Sequence, residues 1–232
     1  MKYTVNISAT GYYDLSIRYA SPQAGGKLKL FLDDIDVSES ISIYNSGGWS
    51  NFVNGYYEGV YLEAGTHELK VKIIGDNEFN IGSIEFINSA TIPTFGPIGS
   101  NVLNDEKSIR LVLNQPISDD QAIESNQFIV NIDGVSSIIE SVQIDAVNNR
   151  VILFEMEDFL NFQQNITIDY VGSIITSSYD SSLLNEFFNY PVNNSLPERG
   201  LIPGKIQAED YNNQSGLSAV SYTHLTLPTM LM

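Results

Sequence analysis

The residue best suited to recognition chemistry is the only tryptophan, Trp49, within the stretch Asn45-Ser46-Gly47-Gly48-Trp49-Ser50-Asn51-Phe52. An indole carries a broad apolar face and one N–H donor. That face stacks on the C–H side of a pyranose ring, and equally well plugs the end of a β-sandwich. Glycines at 47 and 48 let the chain turn sharply and leave the ring uncovered, so the residue types keep both uses open. The acidic run Asp33, Asp34 and Asp36 has the residue types of an acid–base pair or a cation site. On a strand, however, Asp34 and Asp36 share a face while Asp33 points away, which fits a solvated hairpin end better. Asp119 and Asp120 read the same way. His67 follows a Glu-Ala-Gly-Thr turn, where a solvated or turn-bonded imidazole is expected, and His224 lies far from it in sequence. No Ser-His-Asp set, zinc spacing or phosphate-cradling glycine loop can be assembled. No carboxylate pair is nominated for glycosidic chemistry either, so the expectation is a chain that is not an enzyme.

Composition narrows the partners. Across 232 residues, 11 basic and 28 acidic side chains give a formal charge of −17, a field that repels phosphate backbones and anionic membrane surfaces. Nucleic acid is therefore not an expected partner. There are no cysteines, which removes disulfides, thiolate metal sites and cysteine nucleophiles together. No apolar run approaches bilayer length, so no membrane insertion is expected; the N-terminus has no apolar leader and enters a strand pattern at once, reading as truncated.

These residues must be positioned by strands. Six segments between residues 3 and 87, from "YTVNIS" to "NIGSIEFI", are rich in β-branched and aromatic residues and separated by Gly, Pro, Asn and Asp turns. Their spacing predicts an antiparallel sandwich or jelly roll. Residues 89–101, "SATIPTFGPIGSN", read as a linker. A second β-pattern over 102–194, with hairpin signals at Asp133-Gly134 and at 147–150, predicts a small immunoglobulin-like sandwich. Within it, "EDFLNFQQN" reads as one helical turn or a loop. Residues 195–218 read as a linker and the first strand of a third module, and 219–232 as a non-native tail. The fold class expected is thus all-β, a jelly-roll β-sandwich followed by a smaller immunoglobulin-like one.

In order, "YTVNISATGYYDLSIRYAS", "GGKLKLFLDD", "GGWSNF", "VYLEAGTHELKVKI" and "FNIGSIEF" resemble the C-terminal two-thirds of a family 6 carbohydrate-binding module. The resemblance covers residues 1–88. It implies a galactose-binding-like jelly roll that binds plant or algal polysaccharide without cleaving it, in a secreted or cell-surface bacterial protein carrying a glycoside hydrolase. By the same resemblance Trp49 is the aromatic platform of the loop-end site and Asn80 the amide that hydrogen-bonds sugar hydroxyls. The family pattern has Asn and Trp where Gly82 and Ser83 stand, and often Trp where Phe52 stands. "IPGKIQAEDYNNQSG" resembles the family's N-terminal third, in which Gln207 and Glu209 match ligands of a structural calcium. The middle module resembles the immunoglobulin-like spacers of such proteins, and the chain is expected to be monomeric. A cell-surface adhesion or protein-interaction array is the alternative from another class.

Overall fold

Leu28, Leu30 and Leu32 alternate with Lys27, Lys29 and Phe31, and the period-two pattern becomes a strand whose leucines are buried and whose other face looks outward. The computed structural model describes residues 1–118 and 121–198. Its first part contains β1 (Lys2–Ile7), β2 (Gly11–Ala20), β3 (Gly26–Leu32), β4 (Ile35–Asp36), β5 (Ile41–Ile43), β6 (Val53–Leu62), β7 (Gly65–Ile73) and β8 (Asn80–Asn88). One sheet runs β1-β7-β3-β4 with β5 also on β3, the other β6-β2-β8, and every pairing is antiparallel. Leu15, Ile17, Leu28, Leu30, Ile43, Val60, Leu69 and Val71 fill the space between them.

The second part contains β9 (Pro97–Val102), β10 (Ser108–Leu113), β11 (Phe128–Ile132), β12 (Val135–Ser137), β13 (Ile139–Ile144), β14 (Val151–Met156), β15 (Ile166–Tyr170) and β16 (Phe187–Val192). They form the four-stranded sheets β13-β14-β10-β9 and β12-β11-β15-β16, enclosing a core of its own around Leu111, Phe128, Phe154, Ile168 and Tyr170. Among the described residues there is no α-helix, in keeping with the all-β expectation.

Several details differ from the sequence reading. The segment expected as a linker, 89–101, becomes strand β9 from Pro97, paired with β10. Its Pro, Gly and Ser content hides it, because Pro97 opens the strand where no ladder N–H is needed. Asp33 and Asp34 are not strand residues. Both have positive φ, 50° and 63°, and they make the two-residue turn that pairs Leu32 with Ile35. Asp36, expected to be solvated, is buried at 5% exposure. "EDFLNFQQN" is an irregular loop anchored by buried Leu160. Gln207, Glu209, His224, Asp119 and Asp120, most of the third-module segment and the tail lie outside the described residues.

The two sandwiches are joined by more than their connecting chain. The Arg150 guanidinium, 3% exposed, donates to the Leu113 and Asp36 carbonyls at 3.0 and 3.1 Å and lies 5.5 Å from the centre of the Tyr61 ring. Tyr12 and Tyr61 of the first sandwich meet Tyr179 of the second edge-to-face, at 5.1 and 5.8 Å between ring centres. Ile35 packs against Ile98, Val112 and Val151.

Candidate functional site

Three connections meet at one end of the first sandwich: 21–25 between β2 and β3, 44–52 between β5 and β6, and 74–79 between β7 and β8. The loop 44–52 is shaped by its own short side chains. Asn45 Oδ1 accepts from the Gly47 amide at 2.7 Å, an Asx turn. Ser46 Oγ accepts from the Ser21 amide at 2.8 Å and donates to the Ser21 carbonyl at 3.1 Å, tying the loop to the first connection. Gly47 and Gly48 adopt φ of +94° and +150°, which a side chain at either position would oppose. The neighbouring connections are joined by Gln23 Nε2 donating to Asn77 Oδ1 at 3.0 Å, with Asn77 Nδ2 donating to the Ala24 carbonyl.

At the tip of this loop Trp49 is 47% exposed. It is therefore no plug of the sandwich end. Asn80, first residue of β8, donates from Nδ2 to the Trp49 backbone carbonyl at 2.9 Å. The structure thus brings together the two residues picked out in the first module, although the amide is partly spent on holding the loop. Its second N–H and its Oδ1 remain available at an exposed position.

Phe52 lies at the base of the same loop under the Arg18 guanidinium, 4.5 Å from the ring centre. A Cβ on Gly82 would sit 3.2 Å from the Phe52 ring and 3.3 Å from an Arg18 nitrogen. The Phe52–Arg18 pair therefore occupies the space beside β8, and glycine at 82 accommodates it. Sequence reading missed Arg18, because nothing local ties it to Phe52. It also missed Tyr44, an exposed ring on the same loop, for which the Asn-Ser-Gly-Gly turn just beyond was the available signal.

Elsewhere, His67 Nδ1 is 2.7 Å from Asp33 Oδ2, so it carries the hydrogen, while Nε2 is buried without a partner. The contact is structural, but it reaches the β3–β4 turn and not the turn that His67 follows. No group of three or more His, Cys, Asp or Glu among the described residues is arranged to hold a metal ion. The calcium expectation rests on Gln207 and Glu209, outside those residues.

The model of the family described as carbohydrate binding module (family 6) matches residues 1–88. Residues 1–88 are thus similar to modules of that family, and the match covers well under half of the chain. The family is non-catalytic. Three solved structures are similar to the chain. The C-terminal family 6 module of a marine laminarinase from Zobellia galactanivorans is 29% identical, with TM-score 0.35, over 38% of this chain and 71% of that one. A family 6 module of lichenase 5A from Cellvibrio mixtus, solved with cellotriose, is 26% identical, with TM-score 0.31, over 37% and 65%. A family 35 carbohydrate binding module from Clostridium thermocellum is 20% identical, with TM-score 0.34, over 38% and 68%. No curated protein matches the chain. No helix among the described residues is long and apolar enough to cross a membrane.

Proposed function

We propose that the family 6 module binds a neutral plant or algal polysaccharide at its loop end, with Trp49 as the stacking platform and Asn80 as both a brace for the loop and a hydrogen-bonding group for sugar hydroxyls. The observation that carries this reading is an indole nearly half exposed on a loop whose carbonyl is held by a neighbouring amide. An exposed ring on a braced backbone is presented with little loss of loop freedom when a pyranose lies on it, and each such contact contributes on the order of 1 kcal/mol beyond area burial. A single site of this kind gives weak affinity. In the wider protein, we read the module as a secreted element that directs an attached glycoside hydrolase to its substrate, with the second sandwich as a spacer and calcium as a structural ion of intact modules.

Affinity electrophoresis through gels containing xylan, mixed-linkage β-glucan, agarose or laminarin tests the site. At least one polymer should retard the wild type, Trp49→Ala should migrate as in a plain gel, and Asn80→Ala should fall between. Retardation by no glycan would sink the proposal and favour the adhesion reading.

A further inference from the structure

The chain has seven lysines, and five of them, Lys2, Lys27, Lys29, Lys70 and Lys72, project from the outward face of the β1-β7-β3 sheet. That concentration is unexpected in a chain of formal charge −17. Lys2 and Lys70 are offset by Glu68 and Asp34, at 2.6 and 2.7 Å, whereas Lys27 and Lys72 have no ion-pair partner among the described residues. Beside this face, β9 and β10 of the second sandwich close a cleft of about 570 Å³, whose lining includes Lys29, Phe31, Asp36, Lys72, Asn101 and Arg110.

Charge in the cleft does not cancel. Three cations face one carboxylate, that of Asp36, which is already committed. Lys29 Nζ sits 2.5 Å from Asp36 Oδ1, an Arg110 Nη lies 4.0 Å from Oδ2, and the Gly99 backbone packs so closely that a Cβ there would meet the carboxylate at 2.7 Å. Arg110 Nε donates to Asn101 Oδ1 at 3.0 Å, which orients the guanidinium. Phe31 lies between Lys29 and Lys70, 5.9 and 5.4 Å from its ring centre, adding an apolar surface to the cationic one.

We propose that this inter-sandwich cleft binds an acidic sugar, with its carboxylate or sulfate held by Lys72 and Arg110 and its ring against Phe31. Guanidinium and ammonium donors make stronger hydrogen bonds to an oxyanion than to a neutral hydroxyl. Beyond about 8 Å at physiological salt, other charges are largely screened, so the cleft feels mainly its own cations and Asp34, which also acts on Arg110 but is paired with Lys70, while the acidic remainder of the surface disfavours a dense polyanion. The ligand class is therefore a sparsely charged glycan. The site goes beyond the Trp49 platform and stands on separate residues.

Isothermal titration of the whole chain with a xylotetraose bearing one uronate, a galactotetraose bearing one sulfate ester, the neutral parent of each, and sodium sulfate tests it. At least one charged sugar should bind more tightly than its neutral parent and than sulfate, with affinity falling as salt rises; the tighter arm identifies carboxylate or sulfate. Lys72→Gln, at an exposed and unpaired position, should weaken the charged sugar about tenfold, the loss of one charge-assisted hydrogen bond. Arg110→Gln should do the same, while Lys107→Gln, outside the cleft, should not. Trp49→Ala should leave the preference for charged over neutral sugar intact, which separates failure here from failure of the platform. Equal binding of charged and neutral sugars, equal binding of sulfate alone, an unaffected Lys72→Gln, or an equal loss in Lys107→Gln overturns the proposal.

Discussion

Asn80 contributes through a contact that local sequence does not contain. Its donor meets a carbonyl 31 positions earlier, so the residue was legible as an amide in a family motif but not as the brace of the tryptophan loop. Trp49 was legible because one indole behind two glycines has few roles, and only the fold decides between an exposed ring and a plug. Asp33 and Asp34 were legible in place but not in partners. Their types implied a solvated hairpin end, and both are indeed exposed in a tight turn, but each is also held by a partner that the sequence does not show. A hydrogen bond from the His67 imidazole, reinforced by the Glu68 amide, keeps the Asp33 carboxyl below its ordinary range, and a hydrogen bond from Lys70 does the same for Asp34. A carboxyl whose pKa is lower in the folded chain stabilises the fold above the unfolded value near 3.9, and that contribution disappears as pH falls through the folded value. Asn tolerates positive φ. Urea midpoints of Asp33→Asn and Asp34→Asn should therefore lie below wild type at pH 6 and converge with it near pH 2; a constant gap across that range would contradict the assignment.

At the scale of elements, the platform depends on how the 74–79 connection lies against the start of β3. The Ile74 amide donates to the Lys27 carbonyl at 3.0 Å, and a Cβ on Gly75 would meet the Lys27 nitrogen at 2.6 Å and the Gly25 carbonyl oxygen at 2.9 Å. Those are backbone atoms, which cannot swing aside as a side-chain tip can. Gly75→Ala should accordingly cost about 1–3 kcal/mol of stability, the usual range for overpacking, and reduce retardation on a glycan gel by displacing the segment that leads to Asn80. Thermal denaturation and the same gel check both effects. The long strands were legible from alternation, since leucines facing lysines leave little choice of face. Two short strands, β4 and β5, and the strand β9 were not, because two or three residues carry no period and Pro and Gly in "FGPIGSN" mimic a connection.

At the scale of the molecule, the sequence shows two apolar regions but conceals how tightly they join. Arg150 was read only as the end of a hairpin signal, and its partners, Leu113 and Asp36, lie 37 and 114 positions away. Burial pulls its pKa down to about 10, so it stays charged at neutral pH inside the junction. Arg150→Ala leaves two buried carbonyls without donors, at a cost of about 3 kcal/mol. For a chain of this size that corresponds to a fall of roughly 6 to 12 °C in melting temperature. Calorimetry should give one transition for residues 1–196 in the wild type and a lowered or divided one in the variant; an unchanged single transition would mean that the junction contributes little.

The same junction has a mechanical consequence. A hinged pair of sandwiches would sweep any glycan held at the loop end through a wide cone, diluting the effective concentration felt by a catalytic partner fused beyond it. A pair locked through Arg150 and the tyrosine trio instead fixes a bearing as well as a reach. If the proposed glycan site holds and a further domain is joined to this chain, that domain inherits an orientation towards the bound sugar, and exchanging the second sandwich for a flexible tether of equal span would keep the grip but scatter the aim.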